Sequence, residues 1–197
     1  MSRTNKRILF ITLPIIVLLA ALVWYFCFCT TSVNKLSDYQ KRRANAYYPQ
    51  VSAILPALTD LPTYTHIDYQ YRKTRALMFR TETMRLVVTY DHATYESEKN
   101  KLNKKQYLDH VVYDDIGNFC IIPEYEFSIN SYHFRILPND DEDYPYPHTI
   151  GLIATSDEKN SIAYLYLFDG DLDCIGDGTN APGSMATFIK TYFKYDW

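Results

Sequence analysis

The sequence predicts an α+β protein: an antiparallel sheet covered by two or three helices and preceded by one N-terminal transmembrane helix. Three observations predict this arrangement. An unbroken apolar run of membrane-spanning length lies near the N-terminus. Beyond it, segments with apolar residues at every second position alternate with segments of helical period. Most strand segments are also joined by connections too short for the crossover that parallel pairing requires.

The composition places the chain among ordinary globular proteins. It has 197 residues, a formal charge of -3, 47% hydrophobic residues and 22% charged residues. This apolar content excludes a disordered protein, and the 6 Gly exclude a collagen. With only 4 Cys, the chain is also not a disulfide-stapled miniprotein.

Residues 8–29 form the apolar run, which contains no charged residue. At about 1.5 Å per residue, a helix of this length crosses a hydrocarbon layer of about 30 Å. Trp24 and Tyr25 stand near its end, where aromatic residues favour the headgroup region. A cleaved signal peptide is the alternative, but its apolar core is shorter and a small-residue cleavage site normally follows it. Lipid attachment at Cys27 or Cys29 is disfavoured by the bulky aromatic residues that precede them.

The layout predicts four segments in a single-pass protein of the cell membrane. Residues 1–7 are expected to be a short cytoplasmic tail, and residues 8–29 a signal anchor in contact with the lipid bilayer. Residues 30–59 are expected to form a juxtamembrane helical stalk, and residues 60–197 an extracytoplasmic α+β domain. Basic residues on both sides of the run nearly balance, so this orientation depends on the short tail before a large C-terminal domain.

The charge distribution argues against a nucleic-acid partner. All acidic residues follow residue 29, and the part beyond the run carries a formal charge of -6. An acidic domain repels a polyanion. The basic cluster Lys41-Arg42-Arg43 is interpreted as a solvated helix face, with contact to lipid headgroups as the alternative.

The first half of the predicted domain reads as helix, strands and helix. Helix-like recurrence over residues 30–59 is interrupted by prolines. From Thr65 to Tyr71 the apolar and polar residues alternate, as on a half-solvated strand, and residues 77–90 continue the pattern with a change of phase. Residues 92–110 are predicted as a polar helix, with Asp91 as its N-cap.

The second half reads as paired strands followed by a helix. Residues 125–129 and 132–136 alternate in opposite phase across Asn130-Ser131, which predicts a hairpin. Residues 149–155 and 161–168 flank a second turn. A helix is predicted from Ser184, because one apolar stripe recurs at helical spacing. The stripe consists of Met185, Phe188, Ile189, Tyr192 and Phe193.

The acidic segment 169–177 is the one candidate metal site. Alternate carboxylates on a loop converge their oxygens in the way that a hard cation such as calcium needs, and the first half of an EF-hand loop has this spacing. The candidate ligands are Asp169, Asp171, Asp173 and Asp177. Cys174 and Asn180 occupy the positions where that loop needs Gly and a bidentate Glu, so a strand ending in a polar turn is the competing interpretation. No other cofactor is expected.

Two cysteines of the predicted domain are candidates for a disulfide. Cys120 and Cys174 each lie near a predicted strand, and an oxidising compartment permits a bond between them. The five histidines show no metal-ligand spacing, and no P-loop, Gly-rich fingerprint or nucleophile elbow is present. No catalytic residue is therefore proposed.

These observations favour a non-enzymatic domain that displays a binding surface outside the cytoplasm, with an unknown protein partner. The first alternative is an extracytoplasmic enzyme or cation-dependent module built on segment 169–177. The second is an accessory subunit of a membrane complex. The sequence also leaves open whether the sheet closes or presents an edge to another strand, and this point bears directly on partner binding.

Overall fold

The computed structural model describes residues 14–25, 28–46, 51–77, 79–113, 120–139, 148–170, 172, 175 and 184–197. Its helices are α1 (residues 14–25), α2 (Tyr39–Ala44), α3 (Val51–Ile54), α4 (His92–Leu102) and α5 (Met185–Tyr192), with 3-10 turns at Leu36–Asp38 and Leu58–Asp60. Its strands are β1 (Phe28–Val33), β2 (His66–Ala76), β3 (Phe79–Thr89), β4 (Val112–Tyr113), β5 (Cys120–Ile122), β6 (Glu126–Ile129), β7 (Tyr132–Ile136), β8 (Thr149–Ser156) and β9 (Ser161–Asp169).

The prediction of an α+β protein with an antiparallel sheet is confirmed. Seven strands form one sheet in the order β1-β2-β3-β9-β8-β7-β6, and every neighbouring pair is antiparallel. Strand β9 lies between β3 and β8, so it joins the two halves of the sheet. Strands β4 and β5 form a separate two-stranded sheet.

The predicted transmembrane helix, and with it the single-pass signal anchor, is contradicted. Among the described residues, no helix is both long enough and apolar enough to cross a membrane. The predicted apolar run also overlaps β1, which begins at Phe28 and pairs with β2. The predicted single-pass localisation depended on this helix and is contradicted together with it.

The segment predicted as a helical stalk lies against the sheet. Its first residues belong to β1, and its helices α2 and α3 are short. Tyr39 and Leu55 are fully buried. The Tyr39 hydroxyl donates to the Pro56 carbonyl at 2.6 Å, and the Arg43 Nε donates to the Leu55 carbonyl at 2.7 Å. These hydrogen bonds join two parts of the segment to each other, and the packing of Tyr39 and Leu55 in the core holds the segment on the sheet.

Two apolar clusters lie on the two faces of the sheet. The first joins α2, α3 and α4 to the tyrosine-rich side of β2, β3 and β9, and includes Tyr39, Tyr69, Tyr95 and Tyr164. The second joins α5 and the C-terminal residues to the other side of β6–β9. The helix predicted from Ser184 is confirmed: Met185 and Ile189 are fully buried in the second cluster.

Both predicted hairpins are confirmed, and each turn contains an asparagine with positive φ. Asn130 (φ 50°) lies between β6 and β7, and Asn160 (φ 45°) lies before β9. Asparagine tolerates this left-handed conformation better than other non-glycine residues. Leu77 (φ 55°) takes the same conformation at the β2–β3 tip, where residue type alone does not predict a turn.

Helix α4 begins as predicted and ends earlier than predicted. The Asp91 side chain accepts from the Thr94 backbone N–H at 3.0 Å, which confirms the N-cap. The helix ends at Leu102, although residues 92–110 were the predicted range. The Tyr107 hydroxyl donates to the Leu102 carbonyl at 3.0 Å and satisfies one of the acceptors that a helix end leaves free.

Candidate functional site

Of the predicted cation ligands, only Asp169 is among the described residues. It ends β9 and is 6% exposed, and one of its carboxylate oxygens accepts from the Tyr192 hydroxyl at 2.8 Å. Asp171, Asp173 and Asp177 lie outside the described residues. Within the described residues no group of three or more potential metal ligands occurs. The calcium site therefore stays a prediction, and Asp169 is placed in a hydrogen bond with α5.

The disulfide predicted between Cys120 and Cys174 also stays a prediction. Cys120 begins β5 and is half-buried. Cys174 lies outside the described residues, so no distance between the two sulfur atoms follows.

One half of one sheet face is polar, and no helix of the described residues covers it. On this face α5 packs over β6–β9, while the side chains of β1, β2 and β3 are mainly hydroxyl and charged groups. We call this half the open face and define it by Thr30, Ser32, Arg72, Thr74, Thr81 and Thr83. The alternation over β2 predicted a solvated side that includes Arg72, but it did not predict that the neighbouring strands continue the same surface.

Strand register aligns the open face into rows. Thr30, Thr74, Thr81 and Asp169 are consecutive partners across β1, β2, β3 and β9. Directly opposed residues of an antiparallel pair share a face. The hydroxyl oxygens of Thr30 and Thr74 lie 3.3 Å apart. The row therefore presents hydrogen-bonding groups at the spacing of neighbouring strands, about 4.8 Å.

A cleft of about 260 Å³ lies where the open face meets α5. It is lined by Arg72, Thr74, Thr81, Thr83, Asp169, Thr191 and Tyr192. Arg72 provides a guanidinium and Asp169 a carboxylate already bonded to Tyr192. Hydroxyl groups and one guanidinium suit the binding of polar or anionic groups by hydrogen bonds.

Arg85 follows Thr83 on the same face of β3. It is 5% exposed, and its guanidinium pairs with Asp68 and donates to the Lys194 carbonyl. The Tyr195 ring lies 4.4 Å from the guanidinium carbon. The C-terminal residues are thereby fixed beside the open face, so the face has a defined boundary.

The open face ends at a strand edge. In the part of the chain that the structure describes, β1 pairs with β2 alone. Thr30, Thr31 and Ser32 are exposed. Among the described residues, the outer side of β1 is therefore unpaired.

Positive charge is concentrated in the segments that contain β1, α2, β2 and most of β3. Residues 28–46 and 66–85 carry nine basic against three acidic side chains, a formal charge of +6. The other residues from 28 to 197 carry eight basic against twenty acidic side chains, a formal charge of -12. Partial burial above all, and then the neighbouring Arg80, lower the pKa of Lys73. Although the chain as a whole is acidic, the part formed by residues 28–46 and 66–85 is therefore basic.

The basic cluster predicted as a solvated helix face is partly structural. The Arg42 guanidinium carbon lies 4.6 Å from the centre of the Tyr71 ring, and Arg43 donates to backbone carbonyls. Only Lys41 of the three is exposed.

The β2–β3 turn adds apolar surface beside the same edge. Leu77 is 57% and Phe79 is 40% exposed. Because Ala76 pairs with both Phe28 and Phe79, this turn lies next to the first residue of β1. An apolar tip beside a basic polar surface suits contact with another molecule.

A second polar cleft, of about 420 Å³, lies between α4 and the turns that precede β7 and β9. Asp157, at its wall, pairs with Lys99 and accepts from the Tyr95 hydroxyl. These hydrogen bonds, that to Lys99 above all, hold the pKa of Asp157 below its usual value. The cleft walls are therefore tied together by an ionised Asp157.

We expect Asp157→Asn to destabilise the protein at pH 7 and to have a smaller effect at about pH 3. The pKa of Asp157 is lower in the folded state, so its stabilising effect is present above the unfolded value and is lost as the pH falls through the folded value. Thermal melting of both proteins at the two pH values measures this difference. Equal destabilisation at both would contradict the ion-pair role. Glu158→Gln at the neighbouring position is the matched control.

The described residues form an antiparallel α+β fold with a polar sheet face that no described helix covers and an edge strand, β1, that pairs on one side only. Comparisons with protein-family models, with curated proteins and with solved structures find no match for this chain. The function proposed below therefore depends on the residues of this chain alone.

Proposed function

We propose that this chain is a non-enzymatic binding domain whose interaction surface is the open face together with the edge of β1. The main observation in support of this proposal is that the described helices cover only part of one sheet face. Helices and the C-terminal residues cover β6–β9 on one face, whereas no described helix covers β1–β3 on the same face. There Thr30 and Ser32 are exposed and Arg72, Thr74 and Thr81 are partly exposed, while Thr83 is buried. A folded protein normally gains stability by covering a sheet face, so a polar face left open suits recognition.

The dimensions of this surface favour an extended segment of a protein partner. The six residues of β1 extend over about 20 Å at the rise of a β-strand. The cleft of about 260 Å³ is of a size to accept one or two side chains of such a segment. Side chains that donate hydrogen bonds line it, and the exposed Leu77 and Phe79 lie at one end.

A selection from a display library of random peptides tests this proposal. We expect the purified protein to enrich peptides, and we expect Thr74→Trp to weaken their binding about tenfold or more, because an indole at Thr74 fills the cleft. Thr63→Trp is the matched control, since exposed Thr63 precedes β2 at the end of that strand remote from Thr74. Fluorescence anisotropy of the selected peptides measures the affinities.

Two outcomes would contradict the proposal. One is the absence of any enriched peptide. The other is enrichment that Thr74→Trp leaves unchanged, because the peptides would then bind elsewhere. Circular dichroism of both variants, with melting temperatures close to that of the parent protein, excludes unfolding as the cause of lost binding.

A further inference from the structure

We infer that the partner is an acidic extended segment, which adds to β1 as an eighth strand of the sheet. This inference rests on the proposed function and specifies the class of partner. The mode is strand addition, in which main-chain hydrogen bonds provide affinity and side chains provide specificity.

The residues of strand β1 show none of the sequence features by which proteins protect a sheet edge, and no other described strand pairs with its outer side. Phe28–Val33 contains neither proline nor a charged residue, and its register with β2 continues without a bulge. Edge strands are usually shortened, bulged or charged, because their unpaired N–H and C=O groups accept further strands. An unprotected edge of six residues is therefore a template for pairing.

The opposite edge of the sheet does not offer the same site. Strand β6 has four residues, and the exposed Glu126 stands at its start. Glu124, just before it, accepts from the backbone N–H of Met185 at 2.9 Å. A short edge flanked by carboxylates is a poorer template for an acidic segment, so the two edges differ in both length and charge.

Basic side chains lie directly behind the β1 edge. Cys29, Thr31 and Ser32 are the register partners of Arg75, Lys73 and Arg72. These long side chains point to both faces of the sheet, because adjacent residues of a strand alternate. The short side chains of Cys29, Thr31 and Ser32 do not shield these basic groups from a strand added to the outer side of β1. A strand added to β1 lies about 9.6 Å from β2, which is within the Debye length at moderate salt.

The charge around β1 favours an acidic segment over a second copy of this chain as the partner of this edge. The surrounding segments carry a formal charge of +6, so a second copy that pairs β1 with β1 brings two basic ends together. Like charges across an interface are unfavourable. An acidic segment instead neutralises Arg72, Lys73 and Arg75 while it satisfies the open backbone groups.

The test uses a fluorescent peptide of about eight residues in which glutamate alternates with valine, long enough to pair with all six residues of β1. The matched peptide has lysine in place of glutamate. We expect the acidic peptide to bind about tenfold tighter or more, and the difference to shrink as salt is added. Equal affinities would overturn the inference.

Backbone pairing is tested with two further acidic peptides. In an extended peptide, alternate N–H groups point to opposite edges. One peptide is N-methylated on the N–H groups of one edge, and the other peptide on those of the opposite edge. We expect one of them to lose binding and the other to keep it, because only one edge of the peptide faces β1. Retention of binding by both peptides would overturn strand addition.

Charge variants locate the site. Lys73→Gln combined with Arg75→Glu is expected to weaken the acidic peptide about tenfold. Glutamine at position 73 avoids placing a carboxylate opposite the buried Glu82. Lys105→Gln combined with Lys104→Glu makes the same change of charge on exposed residues after α4 and is expected to leave binding unchanged. Equal losses in both double variants would overturn the assignment to β1.

Other occupants give separate outcomes. Binding to vesicles containing phosphatidylserine without binding to the acidic peptide would overturn the inference in favour of a lipid surface. A dimer in sedimentation velocity that Thr31→Pro dissociates would overturn it in favour of a second copy. If selected library peptides bind at Thr74 with no excess of acidic residues, the inference fails while the proposed function stands.

Discussion

Titration from about pH 9 to about pH 12 is expected to unfold this protein in one cooperative step, through ionisation of buried tyrosines. The sequence contains 19 tyrosines. Seven of those described are at most 6% exposed and have a pKa raised by burial. They are Tyr39, Tyr69, Tyr71, Tyr90, Tyr95, Tyr132 and Tyr164.

The protein loses stability as the pH rises because burial favours the neutral form of these phenols. Their pKa is higher in the folded state than the value near 10 of an unfolded chain, so their full stabilising effect is present below about pH 10. Above that pH the unfolded chain releases protons that the folded chain retains. The free energy of unfolding therefore falls as the pH rises toward the folded pKa.

The expected magnitude is comparable to the whole stability of a domain. Each such tyrosine costs about 1.4 kcal/mol for every pH unit above its unfolded pKa. Seven tyrosines cost roughly 10 kcal/mol over one unit, whereas folded proteins are stable by about 5–15 kcal/mol. Unfolding is therefore expected near pH 11, in a steep transition.

Phenolate absorbance and far-ultraviolet circular dichroism, recorded together, measure this transition. We expect a large part of the phenolate signal to appear only when the ellipticity is lost. Protein unfolded in urea, in which all tyrosines ionise near pH 10, is the reference. Ionisation of all tyrosines near pH 10 with the ellipticity intact would contradict the prediction.

A pair of variants tests the burial argument. The Tyr90 hydroxyl is buried without a hydrogen-bond partner among the described residues. Tyr90→Phe removes this group and one ionisation, so the midpoint should move to higher pH. Tyr64 is 38% exposed, and Tyr64→Phe should leave the midpoint unchanged.

Trp197→Ala is expected to lower the free energy of unfolding by about 3–5 kcal/mol. The indole is 4% exposed and lies edge-on to Tyr132 and Phe134, with ring centres 5.5 Å and 5.0 Å away. The Trp197 carbonyl also accepts from the Asn130 side chain at 2.6 Å, which fixes the C-terminal residues to the β6–β7 turn. Removal of the ring leaves a cavity at the centre of the second apolar cluster.

The other tryptophan of the chain provides the matched control. Trp24 is 66% exposed, so Trp24→Ala should change the free energy of unfolding by less than about 0.5 kcal/mol. Urea unfolding followed by circular dichroism measures both variants. Similar losses for the two variants would show that the C-terminal residues do not contribute to the core as the structure describes.

Some features of the candidate surface were predictable and others were not. The alternation over β2 predicted one solvated side, and Arg72 and Gln70 lie on it. The placement of Thr30, Thr81 and Thr83 on the same surface required the pairing of β1 and β3 with β2, and periodicity carries no information about partners. The cation hypothesis depended on spacing alone, and only Asp169 of its four carboxylates is described.

The error at the N-terminus has a related cause. A count of apolar residues over 8–29 measures hydropathy, but it does not show which of these residues pair with another strand. The last residues of that run begin β1, whose backbone bonds to β2. Among the described residues of this run, no helix is long enough and apolar enough to cross a hydrocarbon layer.

The sequence by itself determined the α+β class, the hairpin turns at Asn130 and Asn160, the N-cap Asp91 and the apolar stripe of α5. Each of these depends on residues close together in the chain, through turn chemistry, capping or periodicity. Only the tertiary structure decided that β9 lies between β3 and β8, that β1 pairs with β2 alone among the described strands, and that basic side chains lie beside that edge. These features arise from pairing between distant segments, which depends on the packing of the whole chain.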